Sequence, residues 1–371
     1  MSRSISRRVV LTGAGGALAL GVGASVLSWR TSADAYRRSV EDQRAALSGP
    51  ADAHALVRYA TLAASGHNTQ PWHFRIGPDE IAISPDTARR TPVVDPDDHH
   101  LYVSLGCALE NLVLAAGATG QAADVVMVED GMSGASIRLS GNSSPGVDDA
   151  AMFQAIPRRQ SCRALYDGTA VATSDLARLE TASQVPGVDV ILLTDRPQID
   201  AVRDLVIDGN AAQMADPAFL RELKDWLRFS PDSARESGDG LYAAASGNPA
   251  LPEWLGRPAF DLVFKAPAEN EKYARQMDSS AGVAVFCAAS EGPAGWMAVG
   301  RACQRFCLMA TALGLRTAFV NQPVEVAALR PQLATIAGLG ARRPDLVLRF
   351  GRTSQVLPFS ARRPVEAVLL A

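Results

Sequence analysis

Apolar residues recur along this chain with two periods. Spacings of three and four mark helices, and alternation marks strands. Leu56, Val57, Tyr59, Ala60 and Ala63 share one face of a helix within residues 36–64. Trp72–Ile76 alternates as a strand, Gly77-Pro78-Asp79 supplies a turn, and Glu80–Ser84 returns as the partner of a hairpin. Leu101, Leu105, Ala108, Leu109, Leu112, Val113 and Ala116 predict a long helix. Asp95-Pro96-Asp97-Asp98 caps it, and Gly117 and Gly120 stop it. Strands are expected at Asp124–Val128 and Ser136–Leu139, followed by the linker Gly141-Asn142-Ser143-Ser144-Pro145-Gly146.

Beyond the linker the pattern predicts helices at Ala150–Ile156, Ser174–Ala182 and Trp296–Leu313. Strands fall at Val188–Leu193, Ala281–Ala288 and Asp345–Phe350, with a short extended piece at Ala318–Val320. Gly, Pro and Ala are frequent from Phe229 to Asp278, which reads as a connection long enough to serve as a lid. The helix around Gly106 and the helix around Gly300 echo one another in small residues. The parsimonious fold class is therefore α+β, two tandem pseudo-symmetric αβ units over residues 36–145 and 146–371.

The first 35 residues read as an address. Three arginines stand within residues 1–8 together with no acid, an apolar Gly/Ala-rich run follows from Val9 to Leu27, and Ala33-Asp34-Ala35 has the small-residue form of a cleavage site. Ser6-Arg7-Arg8-Val9-Val10-Leu11 resembles the twin-arginine motif of proteins exported already folded. The expectation is export across the cytoplasmic membrane, to the periplasm or cell envelope, with an uncleaved membrane anchor as the alternative. Gly13 to Gly16 could open a dinucleotide loop, but no second strand ending in an acid follows, so that reading is rejected.

Composition narrows the classes. Among 371 residues, 47% are hydrophobic and 20% charged, as in a folded globular chain. A net charge of −3 argues against nucleic acid as a partner. Five scattered cysteines give no disulfide framework and no zinc spacing. Adjacent His99 and His100 at a helix start point in different directions, so no metal is assigned, and Glu325 reads as loop architecture.

Three patches carry chemistry. Ser65-Gly66-His67-Asn68-Thr69-Gln70-Pro71 offers small residues and amides, suited to the carbonyls and nitrogens of a polar ring. Arg159, Ser161 and Arg163 alternate, so two guanidiniums and a hydroxyl can meet one anion. Arg349 and Arg352, with Arg362 and Arg363, form a further basic patch near the C-terminus.

These patches resemble the nitroreductase superfamily. The loop SGHNTQPW, the helix Ser104–Gly117 and the motif Arg159-Gln160-Ser161-Cys162-Arg163 each match a family motif. The loop precedes the arginine motif. With the double length and the signal, that order resembles the tandem, Acg-type branch, in which one chain mimics the family's homodimer. The resemblance implies one complete FMN site. Arg159, Ser161, Arg163, Arg362 and Arg363 would hold the phosphate, and Ser65, Gly66, His67, Asn68 and Gln70 the ring or ribityl chain. It further implies a monomer that passes hydride from NAD(P)H through FMN to a small electrophilic, nitro- or quinone-like substrate, with no catalytic side chain named. The alternative is a flavin-sequestering protein without turnover. FMN is held noncovalently and made in the cytoplasm, so export of folded cargo by the twin-arginine machinery suits such a protein.

Overall fold

A computed structural model describes residues 28–46, 52–128 and 134–370. The twin-arginine motif and its apolar run lie outside the described residues. The helices are α1 (28–43), α2 (Ala53–Thr61), α3 (His99–Ala118), α4 (Val147–Ala155), α5 (Thr173–Ala182), α6 (Arg196–Met214) and α7 (Pro217–Trp226), followed by α8 (Pro231–Ser237), α9 (Glu253–Val263), α10 (Ala266–Asp278), α11 (Pro293–Ala312), α12 (Gln322–Glu325) and α13 (Arg330–Ile336).

Two four-stranded antiparallel sheets repeat one plan. The first has the order β1-β2-β4-β3, from Trp72–Ile76, Glu80–Pro85, Ala122–Val128 and Gly134–Ser140. In chain order the short strands Leu227–Arg228 (β6) and Leu241–Tyr242 (β7) pair apart from the rest. The second sheet has the order β5-β8-β10-β9, from Val188–Leu193, Gly282–Ala288, Arg316–Phe319 (β9) and Leu346–Gly351 (β10). Chain order matches sheet position in both: two strands, a long helix (α3 or α11), then the edge strand and the strand inside it. The sequence echo thus corresponds to a repeated topology.

The halves differ in what joins their first two strands. In the first half it is the predicted hairpin turn. In the second, residues 194–281 intervene and carry α6 to α10. The segment 229–278, read from its composition as a long connection, is instead largely helical. Its Gly and Pro residues start and stop short helices: Pro231 stands in the first turn of α8, and Gly238 closes that helix at φ 64°.

This insertion explains why the second sheet reads as unbroken apolar runs. In β8, Ala284, Phe286 and Ala288 face the main core, while Val283, Val285 and Cys287 face a second core shared with α6 and α10. Both faces are covered, so the period-2 signal vanishes. The first sheet has one dry face, holding Trp72, Phe74, Ile81 and Ile83, while Val126 is exposed on the other.

The halves meet along α3 and α11. A Cβ on Gly106 would stand 2.0 Å from the Met297 carbonyl oxygen, and one on Gly300 would stand 2.1 Å from that of Val103. Only glycine allows this approach of two helix backbones. Beside the crossing, buried Glu110 accepts from Arg301 Nε (2.7 Å) and from Arg305 (2.8 Å). Gln304 donates to Asn111 at 2.7 Å. The ends of the chain tie the halves further. Beyond β10 the C-terminal arm returns to the first half, where Phe74 donates to the Val368 carbonyl and Leu370 donates to that of Phe74, each at 2.8 Å. Cys162 donates to Thr317 on the edge of the second sheet, also at 2.8 Å.

Gly300→Ala is expected to cost about 3 kcal/mol or more, the upper range for overpacking, because its close neighbour is backbone. Gly117→Ala, on α3 with nothing within 4 Å of the added carbon, is expected to be neutral or stabilising by about 0.5–1 kcal/mol. Urea denaturation of both variants checks the pair.

Candidate functional site

A cavity of about 600 Å³ lies where the loop before β1, the start of α3, the segment 159–163, the insertion and the C-terminal arm meet. Of the residues singled out in the sequence, Ser65, Gly66, His67, Asn68, Arg159, Ser161, Arg163 and Arg362 all line it. Loop and arginine motif, about 95 residues apart in the chain, therefore converge on one space.

The loop is held in an unusual backbone. His67, Asn68 and Gln70 have φ of 47°, 55° and 53°, in the left-handed region where side chains clash with the backbone. Its hydrogen bonds supply the restraint. Gly66 N–H donates to Ser104 Oγ (3.2 Å), and Gln70 N–H to Ser65 Oγ (3.1 Å). Asn68 Nδ2 donates to the carbonyls of Gly240 (3.0 Å) and Ala361 (3.2 Å), while its Oδ1 accepts from Arg362 at 2.8 Å.

Gln70 and Arg363 stand outside the cavity lining. Gln70 is fully buried; it donates to the Gly238 carbonyl and accepts from Arg363 N–H, each at 2.8 Å. Arg363 reaches Asp86 at 3.4 Å. Both brace the loop from behind and offer nothing to a ligand in the cavity. Arg349 is buried with donors on the carbonyls of Gln276, Cys162 and Ala164, and Arg352 pairs with Asp175. Those two arginines support the second sheet. Arg158, beside the motif, is exposed.

Sequence reasoning missed Arg44. It follows Tyr36 and Val40 at a spacing of four, and all three are buried, at 4%, 4% and 8% exposure. An arginine on the buried stripe of a helix was the available signal. Arg44 donates to the carbonyls of Pro157 (2.8 Å) and Arg159 (3.2 Å) and lies over the Phe359 ring.

Arg44, Arg159 and Arg362 form a group of buried guanidiniums lining the cavity, none with a carboxylate within 4.0 Å among the described residues. Each leaves a buried Nε–H without an acceptor. Burial pushes all three below the ordinary arginine value, and repulsion from neighbouring guanidiniums adds to the effect at Arg44 and Arg362; Arg362 comes down to about 9. Arginine nevertheless keeps its proton, so the same burial leaves concentrated positive charge facing a cavity. A phosphate group supplies both the missing negative charge and the missing acceptors. The cavity size also falls in the range for small-molecule and cofactor sites, so these residues fit FMN.

Another part of the lining carries titratable groups of low charge. His67 is held down at about 4 by burial and by Arg163. His100 is lowered well below the usual imidazole range by burial, with His99 and Arg343 adding to it. Glu325 is raised to about 7 by burial, partly offset by Gln213 Nε2, which donates to it at 2.5 Å. The insertion completes the cavity with apolar side chains that include Phe219, Leu223, Phe229 and Phe260.

Asp95, His99 and His100 bring potential metal-binding atoms within 4.8 Å of one another. The histidines converge more than their adjacency in the sequence predicts. Both Asp95 oxygens, however, accept from the first turn of α3, from His100 N–H (2.9 Å) and Leu101 N–H (3.0 Å), and His99 pairs with Asp345 at 2.9 Å. The cluster is accounted for as a helix cap.

Fold and site together define a class: a two-unit α+β protein with a cavity that buried guanidiniums and a left-handed loop line together. Relatives in sequence narrow it. The chain is similar to proteins of Mycobacterium tuberculosis named as candidate NAD(P)H nitroreductases, acg among them. It is 27% identical over 326 residues to a candidate NAD(P)H nitroreductase of strain H37Rv, covering 85% of this chain and 90% of the relative. It is 24% identical over 321 residues to the candidate NAD(P)H nitroreductase acg, covering 84% and 93%. No family model matches. Solved structures that align with it include an FMN-bound nitroreductase from Desulfitobacterium hafniense (13% identity, TM-score 0.37, 57% of this chain and 94% of the other). Another is the FMN-dependent nitroreductase NfnB of Mycobacterium smegmatis in complex with NADPH (15%, TM-score 0.36, 55% and 88%).

Arg44→Met is expected to weaken FMN binding at least tenfold, about 1.4 kcal/mol, and to reduce the thermal stabilisation given by inorganic phosphate. Arg158→Met, changing the exposed neighbour, should leave both unchanged. Thermal melts with increasing FMN or phosphate measure this; equal affinities in the two variants would remove Arg44 from the site.

Proposed function

We propose that this chain is an FMN-dependent NAD(P)H oxidoreductase of the nitroreductase type, acting on small nitro- or quinone-like electrophiles. The observation that supports it best is the convergence of buried, unpaired arginines and a strained amide loop on one cavity. The NAD(P)H nitroreductase naming of its relatives supports the same reading.

Bound FMN supplies the chemistry of accepting and returning a hydride. Arg44, Arg159, Arg163 and Arg362, with Ser161, would hold its phosphate; Ser65, Gly66 and His67 would contact the ring or ribityl chain. Because the amide of Asn68 is already bonded to the scaffold, its part is to shape the loop. The aromatic wall of the insertion keeps water from the reacting face. One chain supplies both halves of the site, so the functional unit is a monomer.

The alternative, a protein that binds flavin without turnover, draws support from the insertion itself, whose helices close over the cavity. Purified protein is expected to be yellow, and anaerobic NADPH should bleach it within seconds. A flavin that stays yellow under NADPH supports sequestration. Protein that is colourless and stays so with added FMN refutes both readings and favours a scaffold that binds no flavin.

The export reading belongs to the same proposal. Helix α1 runs through Ala33–Ala35, and Tyr36 packs against Tyr242 with ring centroids 4.6 Å apart. Cleavage after Ala35 therefore leaves Tyr36 and the helix leading to Arg44 in the mature protein. Fractionation should find the protein in the periplasm or envelope with Tyr36 at its N-terminus, and changing both Arg7 and Arg8 to Lys should hold it in the cytoplasm. An intact N-terminus on envelope protein would favour the anchor.

A further inference from the structure

Reduction of a nitro or quinone group by hydride consumes a proton as well, and something must supply it. Glu325 on α12 lines the cavity, with 17% of its side chain exposed. One carboxylate oxygen accepts from Gln213 Nε2 at 2.5 Å. The other faces His100 Nδ1 at 3.9 Å, too far for a direct hydrogen bond. Among the described residues no guanidinium or ammonium lies within 4.0 Å of it, whereas Arg44, Arg159 and Arg362 crowd another part of the same lining.

The groups packed about Glu325 do not favour an anion there. His100 from α3 and His67 from the loop are both driven toward the neutral form by burial. Asp95 and, from α7, Glu222 add negative charge that opposes ionisation. From α10, Tyr273 is a half-buried phenol raised above its ordinary value by desolvation, and Lys272 is engaged by Glu269 at 3.6 Å and by Asn248 at 3.0 Å. Gln213 alone favours the carboxylate, and burial outweighs it. The carboxyl group is thereby poised close to neutral pH, where an acid both holds a proton and releases it readily.

We infer that Glu325 is the proton donor of this cavity, giving its proton to the substrate as the substrate takes up hydride. The inference rests on the oxidoreductase reading above. NAD(P)H, oxidised to NAD(P)+, supplies the two electrons as hydride by way of the flavin. A nitro group that gains hydride and the Glu325 proton becomes nitroso and water; a quinone becomes the hydroquinone. Glu325 is left as a carboxylate and regains a proton from solvent. His100 and Gln213 are positioning residues. Neutral His100 withholds the positive charge that would ionise Glu325, and the Gln213 amide orients its carboxyl.

Infrared titration of the full chain reads the carboxyl without reference to turnover. The parent should show a protonated carboxyl band lost with a midpoint near pH 7, absent from Glu325→Gln. Gln213→Leu, removing the bond that favours the anion, should move the midpoint upward. In stopped flow, Glu325→Gln should be reduced by NADPH within about threefold of the parent. Its reoxidation by menadione should slow about 100-fold and lose the pH step. A carboxyl already ionised at pH 6, or reoxidation as fast and as pH-dependent as the parent's, overturns the assignment. A flavin that NADPH fails to reduce in the parent sinks the oxidoreductase reading, and the donor role with it, whatever the infrared band shows.

Discussion

The structure depends on the contact between α3 and α11 at Gly106 and Gly300. Each glycine occupies a space in which a single added carbon would overlap a carbonyl of the facing helix. That closeness fixes the two halves relative to one another. Because the loop stands directly before β1 in one half and the arginine segment beside β9 of the other, it also fixes the distance across the cavity. The buried Glu110 pair with Arg301 and Arg305 adds register, since a shift of one turn would strand an uncompensated carboxylate.

Within that frame the site concentrates unfavourable features. Three residues of the loop adopt left-handed backbone, and three guanidiniums are buried without acids. Neither would persist on its own merits in a small domain, because each costs folding free energy. The surrounding bonds explain why they are tolerated: Arg362 is held by Asn68 and the Ala63 carbonyl, and Arg44 by the carbonyls of Pro157 and Arg159. Loop strain and charge burial are thus coupled through the Asn68–Arg362 contact, so a ligand that neutralises the arginines also steadies the loop.

Much of this was legible in the sequence. The strands of the first sheet alternate because one face is wet, and their hairpin turn carries its own chemistry in Gly77-Pro78-Asp79. Arg159, Ser161 and Arg163 all line the cavity, but so does the intervening Gln160, so alternation alone does not describe how this segment faces it. What failed had physical causes. The helices of the insertion were hidden by Gly and Pro residues that punctuate short elements. Gln70 and Arg363 sit in the right motifs yet turn away, because motif spacing does not reveal which side of a loop its scaffold occupies. Arg44 went unseen because the residues that bury it come from far along the chain, and Glu325 reads in the sequence as loop architecture because the groups around it come from α6, α7 and α10.

The position of the insertion connects fold to chemistry. It replaces a three-residue turn between the first two strands, at a point where the second sheet would otherwise present its outer face to water, as the first sheet does. Covering that face with α6 and α10 gives β8 two cores; α6 also brings Gln213 to the cavity, and α7, Phe229 and α9 of the same insertion add its aromatic wall. One added segment therefore stabilises the sheet, excludes water from the site and desolvates Glu325. The asymmetry between the halves follows. The first half, with only a turn there, contributes the amide loop and α3, and the second contributes the covered, water-poor side on which a carboxyl can keep its proton.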